Sequence, residues 1–242
     1  KKEDEIDSVL STIRAAFELA EFEISQAKIK GVLDEYYDTR DLFLYNSHAS
    51  LRVRRQDGKV DITVKKLLAQ EPGQFTRSEN SKTILEDQYF QYVRNDFREI
   101  TEAVLPDLKN QHLELTIKIN NERRSFLLVR GNEKYELVLD LISFTNPKTG
   151  KRSETLSEVE IEALNEQARQ KLGGIKRNIV EIIKKFSYST DSKYERAIKY
   201  FKLDKRKAKN PLFWWNNEIG LAQAGVTIAV IAIIISIIIA VV

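Results

Sequence analysis

Leu51 to Lys66 reads LRVRRQDGKVDITVKK, and this stretch decides the fold. Two runs of alternating apolar and polar residues meet at Asp57-Gly58, a dipeptide that strongly favours the two-residue turn of a β-hairpin. The turn fixes which residues of the two strands lie opposite each other. The expected pairs are Arg54 with Asp61, Val53 with Ile62, Arg52 with Thr63 and Leu51 with Val64.

The hairpin should have one apolar face and one basic face, because strand side chains alternate between the two sides of a sheet. The apolar face carries Leu51, Val53, Val60, Ile62 and Val64. The polar face carries Arg52, Arg54, Asp61, Thr63 and Lys65. The polar face is either the solvated side of an ordinary hairpin or one wall of an anion-binding site, and the hairpin alone leaves both interpretations open.

Composition limits the possible functions. The chain has 242 residues, of which 31% are charged, and a formal net charge of only +3, so no overall excess of positive charge indicates a nucleic-acid partner. There is no Cys, which excludes disulfides, thiolate metal sites and thiol nucleophiles, and His48 and His112 are too few for a histidine metal cluster. There is also no Met, so we expect that residue 1 is not the native start.

Helical and extended segments surround the hairpin. Apolar residues at helical spacing predict amphipathic helices at 4–20, 85–104 and 172–186. Extended patterns predict strands at 25–38, 75–79, 113–120, 123–130, 135–142 and 155–164. The segment 40–50 is predicted to be a loop, and 187–194 is a polar stretch. The sequence therefore predicts an α+β domain over residues 1–204, with a strand-rich body interrupted by helices.

The last predicted strand carries Glu158, Glu160 and Glu162 at alternate positions, so the three carboxylates share one face. Neighbouring anions repel unless a cation lies among them, and hard divalent cations such as Mg²⁺ prefer carboxylate oxygens. The other interpretation is an exposed acidic strand edge. Asp140, at the end of an apolar run, either adds a carboxylate or caps a turn. Arg77 and Glu79 share one face of the strand 75–79 and could line one polar pocket.

The C-terminal segment from Ile219 to Val242 contains no charged residue and is long enough to span a hydrocarbon core of about 30 Å as a helix. The residues before it suit a membrane interface, with an aromatic pair and a basic cluster. These are Trp214, Trp215, Lys205, Arg206, Lys207 and Lys209. We therefore predict a basic, aromatic linker at 205–218, a transmembrane helix at 219–242, and a domain on the cytoplasmic side or its topological equivalent. A buried core helix is the alternative.

The polar segments follow one another in a characteristic order. They are YYDT at 36–39, LRVR at 51–54, ITVK at 62–65, RSE at 77–79, the strand end at Asp140, EVEIE at 158–162 and SKYE at 192–195. This order resembles the CYTH family of triphosphate tunnel metalloenzymes. The resemblance implies an antiparallel β-barrel of about eight strands with flanking helices, whose inward face is charged and encloses a tunnel.

The resemblance also implies roles for individual residues. The triphosphate would be bound by Arg52, Arg54, Lys65, Arg77 and Lys193, together with Arg123 or Arg124. Glu158, Glu160 and Glu79 would hold Mg²⁺ or Mn²⁺, with Glu162 nearby, and Glu158, Glu160 and Lys65 would be catalytic. The expected partners are a triphosphate or polyphosphate ligand, the membrane and subunits of a membrane complex, but not nucleic acid.

One feature of the family pattern is missing, namely a first strand with the signature ExExK. The nearest string, EFEIS at 21–25, has Ser25 where Lys is required and follows the first predicted helix instead of preceding it. We expect the signature to lie upstream of residue 1. Two functions then stay open: a membrane-anchored, metal-dependent hydrolase of inorganic or organic triphosphate, and a catalytically silent module that binds polyphosphate or a phosphorylated ligand or serves as a structural subunit. A cyclase or a polyphosphate-making enzyme is a variant of the first.

Overall fold

A computed structural model of the chain describes residues 2–71, 74–87, 89, 100–101, 104–108, 111–182, 186–188, 191–204 and 230–239. The helices are α1 Lys2–Leu19, α2 Phe43–Asn46, α3 Glu166–Ile182 and α4 Lys193–Tyr200. The strands are β1 Glu23–Ile24, β2 Lys28–Asp38, β3 Ala49–Gln56, β4 Lys59–Glu71, β5 Gln74–Leu85, β6 Glu114–Arg130, β7 Glu133–Thr145, β8 Leu156–Ala163, β9 Phe186–Tyr188 and β10 Val230–Ile239. A short 3-10 turn spans Pro106–Leu108.

The body of the protein is a curled antiparallel sheet in the order β5-β4-β3-β2-β6-β7-β8. The curl brings the two edges together. Arg77 on β5 lies close enough to Glu158 and Glu160 on β8 for their charges to raise its pKa, although burial lowers it more. The strand β10 pairs with both edge strands, β5 and β8. The predicted α+β class and the curled antiparallel sheet are confirmed.

The hairpin has the predicted register in every pair, including Arg52 with Thr63 and Arg54 with Asp61. Asp57 and Gly58 have φ values of 53° and 71°, as a turn with two left-handed residues requires. The five apolar residues of the hairpin are 0% exposed and pack in one core with Leu44 and Ile84. The hairpin therefore buries its apolar face behind the sheet and turns its basic face to the concave side.

Two further cores hold the sheet. Behind β7 and β8, α1 and α3 contribute Ile13, Phe17 and Leu172 to a core that includes Val159 and Ile161. These residues alternate with the glutamates of β8, so burial on the convex side directs the carboxylates to the concave side. At one end of the concave side, α4 packs its Tyr194, Ala197 and Ile198 against residues of β2, β6 and β7.

Several elements differ from the prediction. The segments 113–120 and 123–130 form one strand, β6, because β2 and β7 both pair across the predicted break. β5 is also longer than the predicted strand 75–79. The segment 40–50 was predicted to be a loop, but the short helix α2 lies within it. The helix α4 begins inside the polar stretch 187–194, for which the sequence predicted no element. Of the predicted helix 85–104, residues 86–87, 89 and 100–101 are helical, and most of the remainder lies outside the described residues.

The predicted transmembrane helix 219–242 is described only at Val230–Ile239, which forms the strand β10. Isoleucine and valine favour strands in water, and the open edges of β5 and β8 offer backbone partners to such a segment. Among the described helices, none combines the length and apolar character needed to cross a bilayer. The linker 205–218 lies outside the described residues, and membrane localisation stays a prediction.

Candidate functional site

The concave face of the sheet forms a charged channel, defined by the polar side chains that alternate with the buried apolar residues of each strand. It contains Asp34 on β2, Arg52 and Arg54 on β3, Lys65 on β4, Arg77 and Glu79 on β5, Arg123 on β6, Asp140 on β7, and Glu158, Glu160 and Glu162 on β8. Two residues of α4, Lys193 and Arg196, reach into it from one end. The channel thus gathers oppositely charged groups from seven neighbouring strands and one helix.

On the hairpin side, Arg54 forms a two-pronged ion pair with Asp34. Its Nε and Nη2 atoms donate hydrogen bonds of 2.6 and 2.7 Å to the two carboxylate oxygens, and Asp34 is 1% exposed. Burial by itself raises the pKa of Asp34, but Arg52 and Arg54 outweigh it and lower the pKa below its ordinary value. Sequence analysis missed Asp34. It lies two residues before Tyr36 on β2, so the two side chains share one face of a strand that pairs with the hairpin.

Arg52 and Lys65 extend the basic wall. Arg52 donates one long hydrogen bond of 3.4 Å to Thr63, and its buried Nε has no partner among the described residues. The Lys65 ammonium lies 2.8 Å from Glu79. Burial and the neighbouring Arg52 lower the pKa of Lys65, although Glu79 opposes the change. Positive charge is therefore crowded on this wall, and an anionic ligand would relieve the repulsion.

The opposite wall holds three carboxylates, Asp140, Glu158 and Glu160, whose oxygens lie within 4.8 Å of one another. We call this group the carboxylate triad. Asp140 and Glu158 are 0% and 1% exposed, which excludes the alternative of an exposed acidic strand edge. Asp140 accepts hydrogen bonds of 2.8 and 2.7 Å from Arg123, whose Nη2 also lies 3.4 Å from Glu160. Asp140 therefore belongs to the channel instead of capping a turn.

Lys193 lies at the centre of the triad. Its ammonium is 2.6 Å from Asp140, 2.8 Å from Glu160 and 3.4 Å from Glu158. Burial raises the pKa values of Asp140 and Glu160, but the positive charges of Lys193 and Arg123 outweigh it and hold both below the usual range. Burial lowers the pKa of Lys193, yet the three carboxylates raise it above the ordinary value. Asp140, Glu160 and Lys193 are therefore ionised at neutral pH.

The helix α4 positions Lys193 through a capping box at its first turn. The Ser192 hydroxyl accepts a 3.2 Å hydrogen bond from the Glu195 backbone, and the Ser192 backbone donates a 2.7 Å bond to the Glu195 carboxylate. Arg196, one turn after Lys193, donates a 2.7 Å bond to Glu158. Sequence analysis missed Arg196, although the Ser-x-x-Glu pattern signals a helix start and places residues 193 and 196 on one face.

Most of the predicted site residues share the channel. They are Arg52, Arg54, Lys65, Arg77, Glu79, Arg123, Glu158, Glu160, Glu162 and Lys193. Arg124, the alternative to Arg123, lies outside it and pairs with Asp7 and Glu122. Glu79 lies beside Lys65 and is not a member of the triad, in which Asp140 takes the third place. The catalytic and binding roles of all these residues stay predictions.

Glu162 extends the row of carboxylates beyond the triad. It lies directly opposite Glu136 on β7, so two anions face each other across the strands. Burial raises its pKa, and the charges of Glu160, Glu136 and Glu79 add to that increase, although Lys65 opposes it. The surroundings of Glu162 in the folded protein therefore disfavour its ionised form.

The donor set of the channel fits two kinds of ligand. The carboxylate oxygens of the triad suit a hard divalent cation, which prefers oxygen ligands. The guanidinium groups of Arg52, Arg54 and Arg123 suit a polyanion, because planar guanidinium groups match phosphate geometry. The channel therefore can receive a metal ion and a chain of phosphates next to each other.

Comparison with known proteins identifies one family and two similar structures. The sequence profile of the CYTH domain family matches residues 7–198. No curated protein matches the chain significantly. A candidate adenylate cyclase from Bacillus halodurans superposes with a TM-score of 0.46 at 16% identity, covering 77% of this chain and 90% of that one. A candidate adenylyl cyclase from Hippeastrum, described as having a dominant triphosphatase activity, gives a TM-score of 0.50 at 17% identity over 78% of this chain and 90% of that one.

Proposed function

The chain belongs to the CYTH domain family, and we propose from this membership and from its charged channel that it binds a triphosphate and hydrolyses it with the help of a divalent cation. The observation that carries the proposal is the arrangement of the two walls. Arg52, Arg54 and Lys65 crowd one wall, and the carboxylate triad lies on the other. The triphosphatase activity described for the similar Hippeastrum protein is consistent with this function.

The basic wall binds the phosphates in this proposal. A triphosphate carries several negative charges along a short chain, and fixed cations in a buried channel attract them more strongly than cations in water do. Arg52 is the best placed of these groups, since its Nε is buried without a partner among the described residues and Lys65 lies near enough to repel it. Arg54 and Arg123 contribute charge while each keeps its own carboxylate partner.

The triad holds the metal ion in this proposal, with Asp140 joining Glu158 and Glu160 as an oxygen ligand. The fit is chemical, because three carboxylates within reach of one another are the donors that Mg²⁺ and Mn²⁺ prefer. When bound, the ion would neutralise phosphate oxygens and draw electron density from the reacting phosphorus. The identity of the ion, Mg²⁺ or Mn²⁺, is part of the proposal.

Hydrolysis requires water to attack the terminal phosphorus while the bond to the neighbouring bridging oxygen breaks, which releases phosphate and diphosphate from inorganic triphosphate. Negative charge is redistributed over the phosphate oxygens in the transition state. Arginine and lysine groups that are already fixed in place stabilise this charge without reorganising. The charges of Arg52, Arg54, Lys65, Arg77 and Arg123 act in this way, and the channel accepts inorganic or organic triphosphates as a class.

The experiment measures triphosphate binding by calorimetry and phosphate release with Mg²⁺ and Mn²⁺. Glu160→Gln should lower turnover by about 100-fold or more, the scale on which enzymes lose a key electrostatic group. Arg52→Gln should weaken binding by about 1.5–3 kcal/mol, as for the loss of one charged hydrogen bond. Arg124→Gln is the control, because Arg124 lies outside the channel and should change neither quantity. If no phosphate is released from any of the triphosphates tested with either ion, the proposed hydrolase activity is contradicted.

A catalytically silent binding module is the second candidate, and one observation favours it. Lys193, Arg123 and Arg196 already pair with the triad, so its carboxylates are neutralised without a metal ion. In that case triphosphate binding should depend on Arg52, no phosphate should be released, and Glu160→Gln should leave binding unchanged or stronger.

We further propose that residues 219–242 attach the domain to a membrane. The support is the sequence, which has no charged residue between Ile219 and Val242 and has aromatic and basic residues before them. The same Ile/Val-rich segment can satisfy its backbone as β10 in water, whereas lipid requires a helix. Association with a membrane complex as a structural subunit is the corresponding partner hypothesis.

A further inference from the structure

Side-chain cations of the protein itself, Lys193 and Arg196, pair with the carboxylate triad at the place where a divalent ion would bind. The Lys193 ammonium contacts all three members, at 2.6 Å from Asp140, 2.8 Å from Glu160 and 3.4 Å from Glu158. A hard divalent ion would use the same oxygens and hold them at shorter distances. Two cations this close repel strongly in a buried site, so the ammonium and a metal ion cannot both keep this position.

Arg196 gives a second, independent sign of a ligand at the same place. Its side chain is 10% exposed and is fixed to Glu158 through Nη2, at 2.7 Å. Its Nε and Nη1 atoms are buried and have no hydrogen-bond partner among the described residues. Buried guanidinium N–H groups without acceptors are costly, so their presence indicates that an acceptor arrives from a ligand.

Both cations project from one side of α4, since residues three apart lie on the same helix face. The other side of the helix is fixed, because Tyr194, Ala197 and Ile198 are buried in a core with the sheet. Tyr194 also donates a 2.7 Å hydrogen bond to Asp38 and stacks on Tyr36 with ring centroids 5.2 Å apart. The helix backbone is therefore anchored, and only the long, flexible side chains of Lys193 and Arg196 can move.

We propose that Lys193 and Arg196 form a cation latch, which holds the carboxylate triad in the metal-free protein and is displaced towards the phosphates when a divalent ion binds. The latch deepens the proposed function and rests on it, because the same carboxylates hold the metal. Lys193, Arg196 and Arg123 balance the charge of the triad, and adding a divalent ion would leave excess positive charge at this wall. Phosphates next to the ion supply the missing negative charge and the acceptors that Arg196 lacks.

The latch makes metal and triphosphate binding mutually dependent. A metal ion alone must displace Lys193 into a channel already crowded with cations, so it binds weakly. Triphosphate attracts Lys193 away from the carboxylates and so raises the affinity for the ion, and thermodynamic linkage requires the ion to raise the affinity for triphosphate by the same factor. Direct contact between ion and phosphate adds to this coupling but does not need Lys193.

The test is a titration of the full chain with Mn²⁺ alone, followed by the electron paramagnetic resonance signal of the free ion. Lys193→Met removes the charge and keeps most of the side-chain volume, so it should bind Mn²⁺ more tightly than wild type, on the order of tenfold. Arg196→Met should show a smaller increase, because Lys193 stays in place. Lys199→Met is the matched control on the same helix, where the side chain is exposed and pairs with Asp191, and it should bind Mn²⁺ like wild type.

If Lys193→Met folds poorly, the melting temperature of the variant with and without Mn²⁺ still tests the latch. Loss of the ammonium leaves buried carboxylates uncompensated, so Mn²⁺ should stabilise this variant more than it stabilises wild type. Folded variants at positions 193 and 196 that bind Mn²⁺ no more tightly than wild type would overturn the latch, as would a Lys193→Met protein that Mn²⁺ does not stabilise. No triphosphate is present, so a protein without turnover can still show the latch.

Discussion

At the scale of single residues, the channel is a set of buried ion pairs whose members depend on one another. Asp34 and Asp140 are 1% and 0% exposed, and each is held by an arginine that donates two hydrogen bonds. Burying a carboxylate is costly unless a cation compensates it, so removing one partner harms the other. The same side chains therefore stabilise the fold and prepare the site for a ligand.

Arg54→Ala should destabilise the metal-free protein by about 3–5 kcal/mol, because it leaves Asp34 buried without its partner. Denaturant unfolding gives this free energy. Arg52→Ala is the comparison, since the hydrogen bond of Arg52 within the described part of the chain is a long one, to Thr63. Combining Arg54→Ala with Asp34→Asn should recover part of the loss. A single Arg54→Ala variant as stable as wild type would show that Asp34 is neutral or hydrated in the channel.

Glu162→Gln should have the opposite effect and stabilise the protein at pH 7. The folded state raises the pKa of Glu162 above the reference value of 4.5, so its ionised form opposes folding. The unfavourable contribution is absent well below pH 4.5, grows as the pH rises from 4.5 to the folded pKa, and is complete above the folded pKa. Melting temperatures should therefore differ at pH 7 and coincide at acidic pH, with exposed Glu154→Gln as the control. A lower melting temperature for Glu162→Gln at pH 7 would contradict this assignment.

At the scale of elements, α4 supplies two of the cations that reach the carboxylate triad. Its first turn is held by the Ser192–Glu195 capping box, and the helix is only 8 residues long. Short helices depend strongly on their ends, since few internal hydrogen bonds are available. The position of Lys193 in the channel therefore depends on the Ser192 hydroxyl, which bonds to Glu195 and is not part of the triad.

Ser192→Ala should lower the free energy of unfolding by about 1 kcal/mol, the usual effect of losing an N-cap. It should also weaken the hold of Lys193 on the triad, which Mn²⁺ titration would detect as tighter metal binding. Ser11→Ala on the exposed side of α1 is a control, since its hydroxyl donates to the Asp7 carbonyl within the same helix, and it should change stability by less than about 0.5 kcal/mol. Equal effects of the two substitutions would show that the cap does not fix α4.

Local patterns predicted the hairpin completely, because a turn dipeptide and strand alternation are contained within Leu51 to Lys66 and fix both register and faces. They did not predict the continuity of β6, which depends on β2 and β7 both pairing with Asn121 and Glu122, where the sequence predicted a break. Nor did they predict the hydrogen bond from the Lys193 ammonium to Asp140, which is 53 residues earlier in the chain. Contacts of this kind depend on the closure of the sheet, and a single sequence carries no direct signal of it.

At the scale of the whole molecule, the open question is the part played by the apolar C-terminal segment. Val230–Ile239 lies between β5 and β8, where it pairs through the backbone with the strands that carry Arg77 and Glu160. The same residues are predicted to span a membrane. Burial in a bilayer and pairing in the sheet exclude each other for one segment, so the two states can be separated by experiment.

Truncation after Lys209 should give a folded protein that binds triphosphate with the affinity of the full chain and does not float with lipid vesicles. The full chain should float with them, because a single apolar helix anchors it. Density-gradient flotation and calorimetry measure the two quantities. A truncated chain that unfolds or loses triphosphate binding would show instead that β10 is a required wall of the channel.

The central claim is that one channel holds a divalent ion on the carboxylate triad and a triphosphate on the facing cations. A crystal structure with Mn²⁺ and a non-hydrolysable triphosphate analogue tests it most directly, since the anomalous signal of manganese locates the ion. The account predicts a manganese peak among Asp140, Glu158 and Glu160, with phosphates contacting Arg52 and with Lys193 moved from the triad. Manganese or phosphates bound outside the channel, with Lys193 still on the three carboxylates, would contradict it.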